Sequence, residues 1–318
     1  MIRILFSNSG RRTYLVEYCY ELIKKGYKLK LFVSDTNYVT STFYINKKIQ
    51  KLITSHISTN EKKYLSDIFR ICKNKKIDLL IPCIDTELKI LAKNKDKFLE
   101  RGTTVVVSRY DLISKLVDKK KTDKFCAEKK IRHPKSYYNI KSFDYSFPIL
   151  KKKINGSSSE GLEILNKKTD LKNFNFKKNM LQKIIKGNEI NLDILNDFEG
   201  NYLHSCAKLK ISMRAGETDK AEILSQKKYI LLSKEISKKF RHVGPMDVDL
   251  IEDKKGNIFF IDFNPRFGGG YPFTHLAGCN YIKAVIDIYL KKNILKFRSP
   301  KKIIGMKGIN LFVLNEKK

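Results

Sequence analysis

The sequence predicts an α/β fold in which an N-terminal Rossmann-like domain precedes an α+β domain of two subdomains. Over residues 1–112, strand-like and helix-like segments alternate, which is typical of a parallel sheet with crossover helices. From residue 113 to residue 318 the pattern changes to hairpin-like strand pairs, and we divide this region into subdomains 113–180 and 181–318. A length of 318 residues agrees with two or three domains, at roughly 100–200 residues each.

In the first domain, apolar periodicity predicts a strand–helix–strand unit. Ile2–Phe6 form the first strand, a helix with one apolar face begins at about Thr13, and Gly26 suits its C-cap. The pattern repeats in a second strand at 28–33, a helix near 62–74, and strands at 77–81 and 103–108. Four parallel strands in a doubly wound sheet are therefore expected.

After residue 112 the strands pair locally. A lysine-rich helical stretch over 111–136 breaks near Pro134. Further strands are predicted at 147–153, 162–165, 180–185, 189–195, 202–212, 244–251 and 258–264.

Composition excludes several classes of protein. Hydrophobic residues make up 42% of the chain, which is enough for a folded core. No stretch reaches the roughly 20 apolar residues of a membrane span, and the first apolar run is too short for a signal peptide. The six cysteines show no CxxC pair or metal-like spacing, so we expect reduced, packed thiols and a cytoplasmic location.

The formal net charge of +32 raises the alternative of a nucleic-acid-binding protein. The basic residues are mostly lysine and are spread from end to end, whereas base or phosphate readout favours arginine in a concentrated patch. We therefore expect a solvated basic surface that attracts small anionic substrates, with no specific nucleic-acid partner.

Two loops follow predicted parallel strands, where α/β folds bind ligands. Residues 8–12 (Asn-Ser-Gly-Arg-Arg) lack the GxGxxG pattern of a dinucleotide site, and their arginines could hold an anionic substrate or the loop could simply cap a helix. Residues 85–87 (Asp-Thr-Glu) form the second loop, where Glu87 is a candidate for orienting an amine.

A hairpin over residues 244–266 carries the strongest chemical signal. Alternation puts Asp247 and Asp249 on one face of its first strand, and Asp262 and Asn264 on one face of its second. Since cross-strand neighbours lie roughly 5 Å apart, Asp249, Asp262 and Asn264 are predicted to converge as oxygen ligands for Mg²⁺ shared with nucleotide phosphates. Arg266 can then bind a phosphate or an acyl phosphate. An exposed polar hairpin is the alternative, which the apolar run 258–261 disfavours.

The run 262–272 (Asp-Phe-Asn-Pro-Arg-Phe-Gly-Gly-Gly-Tyr-Pro), followed by Thr-His-Leu-Ala-Gly at 274–278, resembles the C-terminal signature of the ATP-grasp superfamily. The similarity is greatest to the branch of the carbamoyl-phosphate synthase large subunit, and segments 4–17, 77–87 and 118–134 share it. The resemblance implies a pre-ATP-grasp Rossmann-like domain and two α+β subdomains that clasp ATP. The strand carboxylate is Asp262 where the family more often has Glu, which favours coordination of fewer metal ions.

The resemblance also implies nucleotide contacts in subdomain 113–180. Lys119, or its neighbours Lys120 and Lys121, takes the place of one phosphate-binding lysine, and Lys152 takes that of a second. A solvated basic strand is the alternative for Lys152. Gly156, Ser157 and Ser158 resemble the Gly-rich lid over the phosphates.

Further contacts are implied in the C-terminal subdomain. Backbone groups of Gln182, Lys183 and Ile184 would read adenine, and Glu189 would bind the ribose hydroxyls. Lys208 and Arg214 would stabilise the transferring phosphoryl group, the alternative being ordinary surface charge.

Together these features predict an ADP-forming ligase that uses ATP and Mg²⁺, or Mn²⁺ in its place, to join a carboxylate to an amine through an acyl phosphate. The chain ends about fifty residues after the signature, so no biotin-binding or amidotransferase module is expected. A homodimer is left open, and a non-catalytic ATP sensor is the alternative function.

Overall fold

The computed structural model describes residues 1–144, 146–155, 161–293 and 297–313. Its strands are β1 Ile2–Ser7, β2 Leu29–Asp35, β3 Gln50–Ile53, β4 Leu79–Pro82, β5 Thr104–Val105, β6 Ser136–Tyr137, β7 Ile149–Lys153, β8 Glu163–Leu165, β9 Asn179–Lys183, β10 Gly187–Asn196, β11 Tyr202–Arg214, β12 Glu217–Leu224, β13 Pro245–Asp253, β14 Ile258–Asn264 and β15 Ile304–Met306. Its helices are α1 Thr13–Lys24, α2 Glu61–Lys75, α3 Asp85–Lys93, α4 Lys95–Leu99, α5 Tyr110–Leu116, α6 Lys119–Glu128, α7 Lys227–Phe240, α8 Tyr271–Leu276 and α9 Tyr281–Tyr289. None of the helices in those ranges combines the length and the apolar character that crossing a bilayer requires.

The N-terminal sheet is parallel and has the order β3-β2-β1-β4-β5. It contains five strands rather than the predicted four, because β3 was missed. Gln50 and Lys51 give this edge strand a polar, half-buried sequence without the apolar run of an interior strand. Of the strand predicted over 103–108, only the two residues of β5 pair with β4. β5 forms the edge of the sheet opposite to β3.

Two antiparallel sheets follow. Four strands in the order β6-β9-β7-β8 form the smaller sheet, and six strands in the order β14-β13-β10-β11-β12-β15 form the larger one. A parallel α/β domain followed by antiparallel sheets confirms the predicted fold class. The exact domain boundaries at residues 112 and 180 stay predictions.

The C-terminal subdomain and the first domain share a hydrophobic core. Leu15 of α1 and Val33 of β2 belong to the same buried cluster as Phe267, Tyr271 and Ile282. Apolar side chains after the β13–β14 hairpin therefore pack against the N-terminal domain, and this contact brings the loops of the parallel sheet to the hairpin.

Candidate active site

The β13–β14 hairpin places four polar side chains together. Asp249 lies opposite Asp262, and Asp247 lies opposite Asn264, where the amide Nδ2 of Asn264 donates to Asp247 Oδ2 at 3.4 Å. The turn between the strands is closed by Asp253, whose Oδ1 accepts the backbone N–H groups of Lys255 and Asn257.

These side chains open into a cavity of about 640 Å³. Ten of the residues predicted for the site line it, namely Lys119, Lys152, Gln182, Lys183, Ile184, Glu189, Asp249, Asp262, Asn264 and Arg266. Apolar side chains also contribute, among them Leu150, Ile185, Ile251 and Ile261. The mixture of apolar surface with a few charged groups is typical of a small-molecule site.

The two candidate phosphate lysines come from the smaller subdomain. Asp118 caps α6 by accepting the backbone N–H of Lys121 at 3.1 Å, which sets Lys119 in the first helical position. Lys152 lies in β7, and burial together with Lys119 lowers its pKa, against the attraction of Asp262. Lys151 faces the other way, where its ammonium contacts Glu163 at 2.8 Å. Lys152 and Lys153 both line the cavity, whereas Lys151 does not.

Burial acts against the charge of one of the oxygen ligands proposed for Mg²⁺, the carboxylate of Asp262. Burial raises the pKa of Asp262, while Lys119 opposes that shift. Across the described part of the chain, no group of three or more His, Cys, Asp or Glu side chains is placed to hold a metal ion. Two carboxylates and one amide are hard oxygen donors, so Asp249, Asp262 and Asn264 fit an ion that takes its other ligands from phosphates and water.

Arg266 links the hairpin to the first domain. Its Nη1 contacts Asp247 Oδ2 at 3.3 Å, and its Nη2 donates to Asp85 Oδ2, at the start of α3, at 2.8 Å. Burial opposes the charge, but the two carboxylates raise the pKa of the guanidinium. The Nε atom is buried and has no hydrogen-bond partner among the described residues. This donor is left unsatisfied in a side chain that lines the cavity.

Sequence reasoning missed Lys210 and Asn191, which also line the cavity. The ammonium of Lys210 lies 2.7 Å from Asp249, and this carboxylate raises the pKa of Lys210 against the effect of burial. The amide of Asn191 donates to Asp247 at 2.5 Å and to Asp249 at 2.8 Å. Both residues therefore orient the candidate ligand Asp249.

The two residues predicted to stabilise the phosphoryl group do not line the cavity. Lys208 is fully buried behind Gly270, with its ammonium 2.5 Å from Asp193 and 3.0 Å from the hydroxyl of Thr274. Arg214 lies on the surface, where it pairs with Asp219 and donates to the carbonyl of Lys307. Strand alternation cannot separate Lys208 from Lys210, because both point to the same face at different depths.

Replacing Lys208 with Met is expected to destabilise the protein by about 3–5 kcal/mol, since it leaves Asp193 buried without its cation. Urea denaturation measures this loss. The double variant Lys208→Met/Asp193→Asn should recover most of it. Wild-type stability in the single variant would contradict a structural ion pair.

The role predicted for Glu87 is wrong, and the residues predicted to form the lid are not described by the structure. Glu87 is fully buried and accepts hydrogen bonds from the side chains of Asn8 and Tyr64 and from the backbone of Cys83, so it is not placed to orient an amine. The lid residues Gly156, Ser157 and Ser158 lie outside the described residues.

The strand predicted to read adenine is β9. The side chain of Gln182 donates to Ser136 Oγ at 3.1 Å, and the backbone N–H of Lys183 donates to the carbonyl of Lys135 at 2.8 Å. These bonds hold the strand at the cavity edge, and any contact to adenine stays a prediction.

A Rossmann-like domain followed by two antiparallel subdomains that enclose a cavity with lysines and carboxylates defines the ATP-grasp class of fold. Two family models match the chain, namely the PylC-like N-terminal domain over residues 4–106 and the ATP-grasp in the biosynthetic pathway with Ter operon over residues 175–311. The second match confirms the ATP-grasp resemblance inferred from the sequence for the C-terminal part of the chain. Comparison with curated protein sequences gave no match.

Solved structures share this fold. The biotin carboxylase domain of Hydrogenobacter thermophilus 2-oxoglutarate carboxylase, in complex with MgADP, ADP and bicarbonate, is 16% identical with a TM-score of 0.70, over 94% of this chain and 71% of that one. L-amino acid ligase from Bacillus licheniformis is 15% identical with a TM-score of 0.69, over 92% and 74%. N5-carboxyaminoimidazole ribonucleotide synthetase from Thermotoga maritima is 13% identical with a TM-score of 0.66, over 93% and 77%.

Proposed function

We propose that the protein is an ATP-dependent, ADP-forming ligase that joins a carboxylate to an amine through an acyl phosphate. One observation carries the proposal: a single cavity brings Lys119 and Lys152 of the smaller subdomain opposite Asp249, Asp262 and Asn264 of the hairpin. Lysines beside hard oxygen ligands are the groups that a magnesium–nucleotide complex requires. The MgADP bound to the 2-oxoglutarate carboxylase domain agrees with this use of the fold.

In the first step, a carboxylate oxygen of the acid attacks the γ-phosphorus of ATP, and the bond from that phosphorus to the leaving oxygen of ADP breaks. Lys119 and Lys152 bind the phosphate oxygens, and the free Nε–H of Arg266 is available to the charge that passes to the acid. When bound, Mg²⁺ supplies neutralisation of the phosphate charge, and Mn²⁺ has similar oxygen preferences.

In the second step, the amine nitrogen attacks the acyl carbon, the bond from that carbon to the phosphate oxygen breaks, and inorganic phosphate leaves while the nitrogen loses a proton. Positioning and charge neutralisation carry the rate of such transfers, so a Ser-His-Asp or Cys-His set is not required.

The test is release of ADP and phosphate with Mg²⁺ and panels of carboxylates and amines. We expect phosphate release that requires one acid and one amine together, with a stoichiometric amide product detected by mass spectrometry. ATP binding without turnover under every combination would instead support a nucleotide sensor. ADP release that neither substrate affects would indicate simple hydrolysis and would contradict the ligase proposal.

Neighbouring lysines of β7 provide a matched pair of variants. Lys152→Ala should weaken ATP binding by roughly 10-fold or more, because it removes a charge-assisted contact to phosphate worth about 1.5–3 kcal/mol. Lys151→Ala removes the same charge from the opposite face, where the ion pair with Glu163 is exposed, and should leave ATP binding unchanged. Calorimetric titration with ATP compares the two, and equal effects would remove the assignment of Lys152 to the phosphates.

A further inference from the structure

The cavity has a second basic wall, away from the candidate phosphate lysines, which the N-terminal domain contributes. Arg12, at the end of the loop 8–12, lines the cavity together with Glu217 of β12 and the loop residues Gly269 and Gly270. The Arg12 side chain is 12% exposed and makes no capping hydrogen bond to helix α1. The loop does cap α1, because Arg12 occupies the N-cap position and its backbone carbonyl accepts the N–H of Leu15 at 3.1 Å, while its side chain lines the cavity.

The hydrogen bonds of Arg12 leave most of its donors unused. Its Nη1 donates to the hydroxyl of Tyr14 at 2.8 Å, and that hydroxyl in turn donates to the carbonyl of Gly268 at 2.9 Å. This is the only hydrogen bond that the Arg12 guanidinium makes within the part of the chain that the structure describes, although a guanidinium has five N–H donors. A largely buried cation with unfilled donors is costly unless an anion completes it.

Glu217 fills that role only in part, because a second cation shares it. The ammonium of Lys307 lies 3.0 Å from Glu217 Oε2, whereas Arg12 Nη1 is 3.6 Å from Oε1, beyond normal hydrogen-bond length. Two cations thus meet one carboxylate, and the cation that faces the cavity is Arg12. The close approach of Glu217 depends on Gly269, where a Cβ atom would lie 2.8 Å from Glu217 Cγ.

The charged groups around this wall differ from those on the nucleotide side. The cations that act most on Asp262 are Lys119 and Lys152, while those that act most on Glu217 are Arg12 and Lys307. Arg266 lies between the two regions: it lines the same cavity, acts on Arg12 as a like charge, and keeps one buried donor free. Two neighbouring guanidiniums with unfilled donors create a place for an anion.

We propose that Arg12, supported by Tyr14 and by the Lys307–Glu217 pair, binds an anionic group on one of the two molecules that the enzyme joins. This inference rests on the ligase function proposed above and narrows its substrates: besides the carboxylate that is phosphorylated, one partner carries a further carboxylate or a phosphate. The guanidinium geometry suits both groups bidentately.

The test uses acids and amines in matched pairs that differ only in one group, such as succinate against succinamate and 3-phosphonopropionate. ADP release is measured with wild type, Arg12→Ala, Arg12→Lys and Arg11→Ala. Arg11 is the matched control, because its exposed side chain donates a hydrogen bond to the carbonyl of Ala215 and does not line the cavity.

We expect wild type to prefer the member of a pair that carries the extra anionic group. Arg12→Ala should raise the KM for that member by about 10–100-fold with the KM for ATP unchanged, in line with the loss of charge-assisted hydrogen bonds. Arg12→Lys should recover part of this loss, and Arg11→Ala should behave as wild type. Preference for a carboxylate or for a phosphonate member identifies the chemical group.

Two outcomes would overturn the proposal. One is unchanged discrimination within the pairs in Arg12→Ala, and the other is an equal rise in the KM for ATP, which would place Arg12 at the nucleotide. If no acid stimulates ADP release in wild type, the ligase proposal fails. The anion site is then tested separately, by calorimetric titration of the same pairs of compounds into the protein with Mg²⁺ and a non-hydrolysable ATP analogue. Binding that Arg12→Ala abolishes would support the anion site, and absence of binding to wild type would refute it.

Discussion

Replacing Asp262 with Asn should reduce ATP turnover by about 10²–10³-fold or more while leaving the protein at least as stable as wild type. Turnover falls because an amide in place of the central carboxylate weakens the metal site that neutralises the transferring phosphoryl group. Stability does not fall because burial raises the pKa of Asp262, so its charge disfavours the folded state at neutral pH. ADP release and thermal denaturation measure the two effects.

Asp253→Asn is the matched control for this substitution. Asp253 lies in the same hairpin, but its carboxylate accepts hydrogen bonds from the turn rather than facing the cavity. Asn can make the same turn contacts, so activity should stay within about twofold of wild type. Normal turnover in Asp262→Asn would remove it from the metal ligands, and a large loss of stability would indicate a structural role instead.

Arg266→Ala should have the largest combined effect, with loss of ligase activity and about 3–5 kcal/mol of destabilisation. The substitution leaves Asp85 and Asp247 without their shared cation, and breaking a buried ion pair carries a penalty of this size. It also removes a guanidinium that lines the cavity. Urea denaturation reports the stability, and ADP release reports the activity.

Two further variants separate these contributions. Arg266→Lys keeps the charge but cannot contact both carboxylates in a forked geometry, so it should recover stability in part and activity hardly at all. Asp85→Asn removes only the contact to the first domain and should cost less stability than Arg266→Ala. If Arg266→Ala were as stable as wild type, the ion pairs of Arg266 with Asp85 and Asp247 would not contribute to the free energy of unfolding. Arg266 would then act only in substrate binding or catalysis.

The geometry of the hairpin was accessible from sequence because it depends on local periodicity. Alternation along β13 and β14 places Asp247, Asp249, Asp262 and Asn264 on one face. An irregularity in the ladder between Asp249 and Leu250 shifts the register by one residue and sets Asp249 opposite Asp262. The same reasoning assigned the inward direction of Lys152 and the parallel sheet of the first domain. Each of these properties is decided within one strand or between two consecutive strands.

How deeply a side chain is buried could not be predicted from the sequence. Lys208 and Lys210 share a face of β11, yet Gly270 and Thr274 cover the first while the second reaches the cavity. Glu87 follows a strand in the expected way but turns inward, where the hydroxyl of Tyr64 and the amide of Asn8 bind it. The sequence pattern of one segment does not indicate which of its faces another segment will cover.

By itself, the sequence determined the fold class, the ATP-grasp resemblance and the set of oxygen and lysine side chains that point into one cavity. Only the tertiary structure decided how each cation is paired: Lys208 with Asp193, Lys210 with Asp249, Arg266 with Asp85 and Asp247, and Arg12 with Glu217 at the longer distance of 3.6 Å. Most of these partners are far apart in the chain, as with Arg12 and Glu217. The pairs Lys208–Asp193, Lys210–Asp249 and Arg266–Asp247 form within the C-terminal subdomain. The pairs Arg266–Asp85 and Arg12–Glu217 form only because that subdomain packs on the first domain.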